Sequence, residues 1–298
     1  MRKFLCIIAV LLCALQSMSA QTQESINREI FNRVYNAVKD KAELPTGQLA
    51  LEIGKQFLGT EYVGFTLEVE PEQLRVFLDK TDCILFVELI SCFAITVKGE
   101  KIVQAGDGVH YCVRETPSVV AEKPSYELLC HNIRNMRYRL GIVDGYGSRV
   151  HYTSEWILQN ETNGLLHEFT SELGRPINQS FYYMTTHPNI YKQLRNSPDQ
   201  VAVVKEAESR LNCQVPYYNI SQEDLRKPEI ISRIKDGDII TFQDTAPGLD
   251  LAHVAMACMG EDGQMHFIHA SSKLKKVAFE KTTLADYAKN GIRISRLK

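Results

Sequence analysis

DCILFVELISCFAITV, residues 82–97, is the stretch on which the fold turns. Cys83, Phe86, Val87, Ile90, Phe93, Ala94 and Val97 recur at the i, i+3, i+4, i+7 spacing of one helix face. The spacing predicts a strongly apolar helix over Ile84–Ile95, opened by Asp82-Cys83, with Cys83 on the buried face at the first turn. Unpaired N–H groups at a helix N-terminus carry partial positive charge, so they stabilise a thiolate and can donate to a developing oxyanion. Packing explains the same placement, because free cysteine is among the most buried residue types. The local pattern leaves both readings open.

Working outward, Ile26, Ile30, Val34 and Val38 lie four apart and predict a helix over Ile26–Val38. Leu49–Phe57 reads as a second helix ended by Gly59, and Tyr62–Leu67 as extended chain. Downstream, Tyr126–Leu140 reads as a helix with Arg134, Arg137 and Arg139 toward its C-terminus, as the helix dipole favours. Arg149–Tyr152 reads as a short strand, after which Thr153 or Ser154 caps a helix carrying Trp156. Residues 160–212 are polar and irregular apart from a helix near Val201–Leu211. The pattern then changes to Gly237–Phe242, Ala252–Cys258, Met265–Ala270 and Ile292–Leu297, strand-like runs separated by Asp/Gly turns. Helices followed by an antiparallel-looking sheet indicate an α+β fold and not alternating βαβ units. No repeat and no composition break marks a second domain.

The ends and the composition bound the class. The chain has 298 residues, a formal charge of −2 and 44% hydrophobic residues, enough for a substantial core and unlike a disordered chain. The near-neutral balance argues against nucleic acid, whose phosphates demand a basic surface. Arg2 and Lys3, the apolar run Phe4–Leu15, and the small residues Ser17, Ser19 and Ala20 read as a secretory signal peptide over 1–20. The run is too short to span a bilayer, which takes about 20 residues, and no later segment is apolar enough. An exported mature chain, 21–298, is expected to form a single domain. Of 8 cysteines, Cys6 and Cys13 leave with the signal; Cys83, Cys92, Cys112, Cys130, Cys213 and Cys258 remain, with no CxxC pair to support a zinc ribbon or thioredoxin-type centre. Disulfides form in exported proteins, and the pairing stays open.

A nucleophilic thiolate needs a base, and the base needs an orienting group. Side chains alternate along a strand, so His253 shares a face with Ala255 and Ala257, while Val254, Met256 and Cys258 face the other way. On the next strand His269 shares a face with Phe267, and His266 points opposite. Adjacent strands can therefore place His253 beside His269 but cannot easily add Cys258 or His266. That disfavours a metal centre, which needs three or four converging ligands; no metal or cofactor is expected.

Asp82-Cys83 at a helix start, the Gly237-Asp-Ile-Ile-Thr-Phe242 strand, Asp250-Leu-Ala-His253-Val-Ala-Met256, Phe267-Ile-His269 and the upstream Leu58-Gly-Thr-Glu-Tyr62-Val63 together resemble the NlpC-type papain-like cysteine hydrolases of bacterial cell walls. The long interval between Cys83 and His253, with Arg149-Val-His-Tyr-Thr-Ser-Glu-Trp156 and Tyr183-Met-Thr-Thr-His-Pro188 inside it, resembles the N-acetylmuramoyl-L-alanine amidase-like branch. The resemblance implies a papain-like core of N-terminal helices packed on an antiparallel sheet, with large insertions around 97–235. It implies Cys83 as nucleophile, His253 as base, His269 as orienting residue and Tyr62 as a group holding the oxyanion or scissile carbonyl. Asp82 would line the substrate site or cap the helix. Arg149, His151, Tyr152 and Trp156 would contact sugar or peptide, or else start a structural strand and helix. Ile84-Leu85 replaces small or hydroxyl residues found in many relatives, which implies a narrower groove beside the nucleophile. The activity implied is cleavage of the amide between N-acetylmuramic acid and L-Ala, in peptidoglycan or soluble muropeptides, in the periplasm or outside the cell. The competing readings are a γ-D-glutamyl-diamino-acid endopeptidase of the same fold, a non-catalytic wall-binding protein, and a disulfide-stapled binding module.

Overall fold

The structure, a computed structural model, describes residues 22–104, 117–214 and 216–298. The segment read as a signal peptide and Cys112 lie outside the described residues. Helices α1 (22–38), α2 (Thr46–Lys55) and α3 (Cys83–Val97) come first. The predicted one-sided stripe on α3 is corrected: every residue from Phe86 to Val97 is buried, so α3 is a central helix, apolar on all sides. Its one charged residue, Glu88, is neutralised by Arg137, whose Nη2 lies 2.6 Å from Glu88 Oε1. Asp82 caps α3, its Oδ1 accepting the Leu85 N–H at 3.0 Å.

Helix α4 (Tyr126–Arg137) stops short of the expected Leu140. Tyr138 is already extended, its hydroxyl drawn to Glu72 at 2.7 Å, and Leu140 takes a positive φ of 54°. The strand predicted at Arg149–Tyr152 does not form; one isolated bridge pairs Arg149 with Tyr138. Helix α5 (Thr153–Thr162) forms, but neither Thr153 nor Ser154 caps it; both lie inside its first turn, and a buried amide there is satisfied from far away. The Ser154 N–H donates to Asp250 Oδ2 at 2.6 Å, a partner that no local capping pattern reveals. Helix α6 (Pro198–Asn212) matches its expected place. Between α4 and the end of α6, Tyr146, Tyr152, Phe181, Val204 and Leu211 build a small apolar cluster of their own.

Among the described residues the main sheet has eight strands: β1 (Glu61–Tyr62), β2 (Lys80–Thr81), β3 (Leu166–Glu168), β4 (Ile239–Gln243), β5 (Leu251–Met259), β6 (Met265–Ser271), β7 (Lys276–Glu280) and β8 (Ile292–Leu297). Their order is β2-β1-β7-β6-β5-β4-β8-β3. All pairs are antiparallel except β1 with β2, so the expectation of a purely antiparallel sheet fails at one edge. The sequence pattern also misses β7. The extended reading of Tyr62–Leu67 shrinks to a two-residue strand.

Both sheet faces are covered. Val254, Met256, Ile268 and Ala270 join α2, α3 and α4 in the main core. Phe242, Ala255, Ala257 and Phe267 face a second cluster closed by Leu225, Ile234, Leu284 and Ala288. The turn entering β4 meets the first turn of α2 backbone to backbone. A Cβ on Gly47 would sit 2.8 Å from the Gly237 carbonyl oxygen, and one on Gly237, whose φ is +85°, would overlap the Gly47 carbonyl. Gly237→Ala is therefore expected to cost on the order of 3 kcal/mol of unfolding free energy, readable by urea denaturation. A midpoint equal to wild type would show that the two turns do not meet this closely.

Candidate active site

Cys83 is the first residue of α3, and its thiol is half-buried. The N–H of Val254 on β5, and those of Ile84 and Cys83 itself, point at the sulfur and favour its charged form. Burial and the neighbouring Asp82 carboxylate act the other way and win, pushing the thiol up to about 11. The expected gain from the helix N-terminus is thus real but outweighed. Asp82 serves as the cap, and burial raises its own pKa against the pull of the Leu85 N–H, Arg137 and Arg149.

Strand parity places the two histidines as predicted. Phe267 stands opposite Ala257 and Ile268 opposite Met256, so His269 and His253 fall on one face as diagonal neighbours. His253 Nε2 and His269 Nδ1 are 2.7 Å apart, with the rings edge to face at 4.9 Å. Phe242 stacks on His253 at 5.7 Å, and Phe267 presses on His269 at 5.0 Å, so packing holds both imidazoles. Burial pushes His253 down to about 3, with His269 adding to the shift and Glu280 opposing it. His269, 1% exposed, is lowered by burial as well, again against Glu280. Both imidazoles rest neutral, and the N–H of Val254, next to His253 in β5, reaches the Cys83 thiol. This arrangement can perform general-base chemistry, in which the proton leaves sulfur as the sulfur attacks.

Two tyrosines flank the thiol. Tyr62 on β1 is raised by burial, then by Cys83 and Asp82. Tyr287 packs edge-on against His269 at 6.2 Å and is raised by burial, then by Glu280 and Cys83. The sequence reading missed Tyr287 and Glu280. Glu280 ends the unrecognised strand β7, where alternation would have put it on the His269 face; Tyr287 follows in a one-turn helix, Leu284–Tyr287, with no signal of its own.

His266 lies on the opposite face and is used internally, with Nδ1 3.1 Å from the Glu280 carbonyl and Nε2 3.1 Å from Asp262 Oδ2. Among the described residues no group of three or more His, Cys, Asp or Glu is arranged to hold a metal ion. The five described cysteines, Cys83, Cys92, Cys130, Cys213 and Cys258, are free, so no bonded pair among them supports the disulfide-stapled reading.

The structure places the remaining candidates among internal partners. Trp156 is 3% exposed and packs in the main core. Tyr152 is 3% exposed, donating to Glu208 at 2.8 Å and accepting the Met184 N–H at 3.1 Å. Arg149 is buried, paired with Glu68 at 2.8 Å and Glu72 at 3.5 Å and stacked over Tyr146. The His151 Nε2 is 2.8 Å from the Tyr146 carbonyl, and burial holds the ring well below its usual pKa. These side chains already have internal partners; Arg149 reaches the site only through its field at Asp82.

A raised thiol makes a testable statement about reactivity. The thiolate is the nucleophile, so alkylation of Cys83 by iodoacetamide is expected to be slow at pH 7 and to climb about tenfold per pH unit toward pH 10. A rate independent of pH over that range would instead indicate a preformed thiolate–imidazolium pair.

A family model described as AmiA-like, N-acetylmuramoyl-L-alanine amidase-like, matches residues 52–292, which include all of these residues. Among solved structures the chain is similar to an N-acetylmuramoyl-L-alanine amidase from Bacteroides uniformis ATCC 8492, at 33% identity over 85% of this chain and 99% of that one, with a TM-score of 0.72. It is similar, too, to a protein of Bacteroides fragilis that carries the name of a xylanase, at 34% identity over 82% of this chain and 99% of that one, with a TM-score of 0.67. LPG0564 of Legionella pneumophila str. Philadelphia 1, in family DUF1460, is 19% identical over 93% of this chain and 96% of its own, with a TM-score of 0.64, a likeness of fold alone. Among curated proteins none matches the chain.

Proposed function

The chain belongs to the N-acetylmuramoyl-L-alanine amidase-like family, and from that premise we propose that it is an exported, papain-like (NlpC-type) cysteine amidase. Membership makes peptidoglycan the substrate class and amide hydrolysis the reaction class. The finer reading assigns the bond and the residues. The bond is the amide between the lactyl carboxyl of N-acetylmuramic acid and L-Ala. Cys83 Sγ attacks the carbonyl carbon while His253 Nδ1 takes the thiol proton. The tetrahedral oxyanion accepts from the N–H groups of the first turn of α3 and from Tyr62. His253 returns the proton to the leaving L-Ala nitrogen, freeing the peptide as an amine and leaving the muramoyl group as a thioester on Cys83. Water, deprotonated by His253, then releases the muramoyl carboxylate and regenerates the thiol.

The observation carrying this reading is the 2.7 Å contact between His253 and His269. It occupies the Nε2 of His253 and leaves Nδ1 for the thiol, beside the strand whose Val254 N–H reaches Cys83. In this account residues 1–20 are the export signal, and 21–298 form one domain with insertions between 97 and 235.

Mass spectrometry of products from a defined muropeptide tests it. The expected products are a sugar bearing a free lactyl carboxylate and a peptide with N-terminal L-Ala. A sugar retaining L-Ala and D-Glu would indicate the endopeptidase. Cleavage of a glycosidic bond would favour the xylanase name, and unchanged substrate would leave the wall-binding reading.

A further inference from the structure

His269 Nε2 is a buried polar atom with no hydrogen-bond partner, on a residue 1% exposed. An unpaired donor or acceptor in such a place costs about 1–3 kcal/mol. Among the described residues the charged group that faces it is Glu280, whose Oε2 is 3.6 Å away. Glu280 is two positions beyond Ala278, the residue opposite His269, so it shares the face of the two histidines. Its other carboxylate oxygen, Oε1, accepts the Thr282 N–H at 2.9 Å, which fixes the group and leaves Oε2 for the imidazole.

We infer that Glu280 is a positioning residue that sets the proton arrangement of the whole relay. The inference rests on the amidase reading of Cys83 and His253. An ionised carboxylate can only accept. It therefore selects the His269 tautomer protonated at Nε2. That tautomer has its lone pair at Nδ1, which accepts the Nε2–H of His253 across the 2.7 Å contact. His253 is then unprotonated at Nδ1, the one state in which it can take a proton from sulfur. With the opposite tautomers, His253 Nδ1 would carry hydrogen and no base would face Cys83. When His253 becomes an imidazolium during attack, the Glu280 charge also stabilises it through His269.

The other titratable groups around this relay do not replace Glu280. Tyr287 meets the edge of His269 without a hydrogen bond, at 6.2 Å between rings. His266 uses its nitrogens on the Glu280 carbonyl and on Asp262. Tyr62, Asp82 and Cys83 lie on the thiol side. Burial raises the Glu280 pKa, but the Thr282 N–H and the His269 ring outweigh it, so the carboxylate is ionised at neutral pH.

The test is Glu280→Gln, nearly the same shape without the charge, read by kinetics on a defined muropeptide and by two-bond 1H–15N NMR of the histidine rings. Wild type is expected to show His269 protonated at Nε2 and His253 protonated at Nε2. The variant is expected to lose about 10–100-fold in kcat with KM within about twofold, and to show the His269 tautomer mixed or reversed. A structural role alone would lower stability without moving the tautomer. Wild-type spectra with His269 unprotonated at Nε2 overturn the inference whether or not the variant folds. So does a Glu280→Gln enzyme with wild-type kcat and tautomers while Cys83→Ala is inactive. If Cys83→Ala itself keeps full activity, the underlying amidase reading has failed instead.

Discussion

Cys83→Ala is expected to lower kcat on a muropeptide by about 10⁴-fold or more, with the folded protein preserved. The size follows from what is removed. Without sulfur no thioester forms, and the remaining groups supply only binding and oxyanion stabilisation, which by themselves retain a residue of about 10³–10⁴ over water. Folding should survive because the thiol is half-buried at the end of α3, and the cap on that helix comes from Asp82. A core cysteine would behave in the reverse way, costing stability and sparing kcat. Kinetics together with urea denaturation separate the two. Loss of activity with a wild-type midpoint supports the nucleophile; retained activity contradicts it.

His253→Ala is expected to cost about 10³-fold or more in kcat, and the double variant with Cys83→Ala no more than the worse of the two singles. Groups that act on one proton transfer fail together, so their effects do not add. The variant leaves His269 Nδ1 without its 2.7 Å partner, so a stability loss of about 1–3 kcal/mol is expected as well. That loss is too small to unfold most domains, which are held by about 5–15 kcal/mol. Effects that multiply across the two sites would show that Cys83 and His253 serve separate tasks.

The parts of this site written in the sequence are those where periodicity and chemistry coincide. Helical spacing in 82–97 put Cys83 at the first turn of a buried helix, and period-two alternation put His253 beside His269. The helix proved apolar on every side because α2, α4 and the sheet all pack on it, a fact of tertiary arrangement that a single stripe does not report. Asp250 capping α5 is a contact between distant segments, with nothing local to announce it, and Glu280 facing His269 depends on the neighbouring strand β7, which the sequence pattern missed. The aromatic and arginine candidates around Arg149–Trp156 show a related ambiguity. Residue types suited to a glycopeptide are also suited to a buried polar network, and the structure gives Arg149 and Tyr152 carboxylate partners inside the protein.

The thiol's environment also changes how reactivity is interpreted. Weak labelling of Cys83 near neutral pH does not mark a binding protein, because burial and Asp82 keep the resting sulfur protonated. The relevant comparison is turnover, where the proton leaves with the attack.

The central claim is that Cys83 carries the muramoyl group as a thioester. Rapid acid quench of the enzyme with excess muropeptide, followed by intact and peptide mass spectrometry, tests this most directly. The account predicts a transient adduct on the Cys83 peptide with the mass of the N-acetylmuramoyl acyl group, absent in Cys83→Ala. An adduct that includes L-Ala and D-Glu, or turnover with no adduct at Cys83 at any quench time, would contradict it.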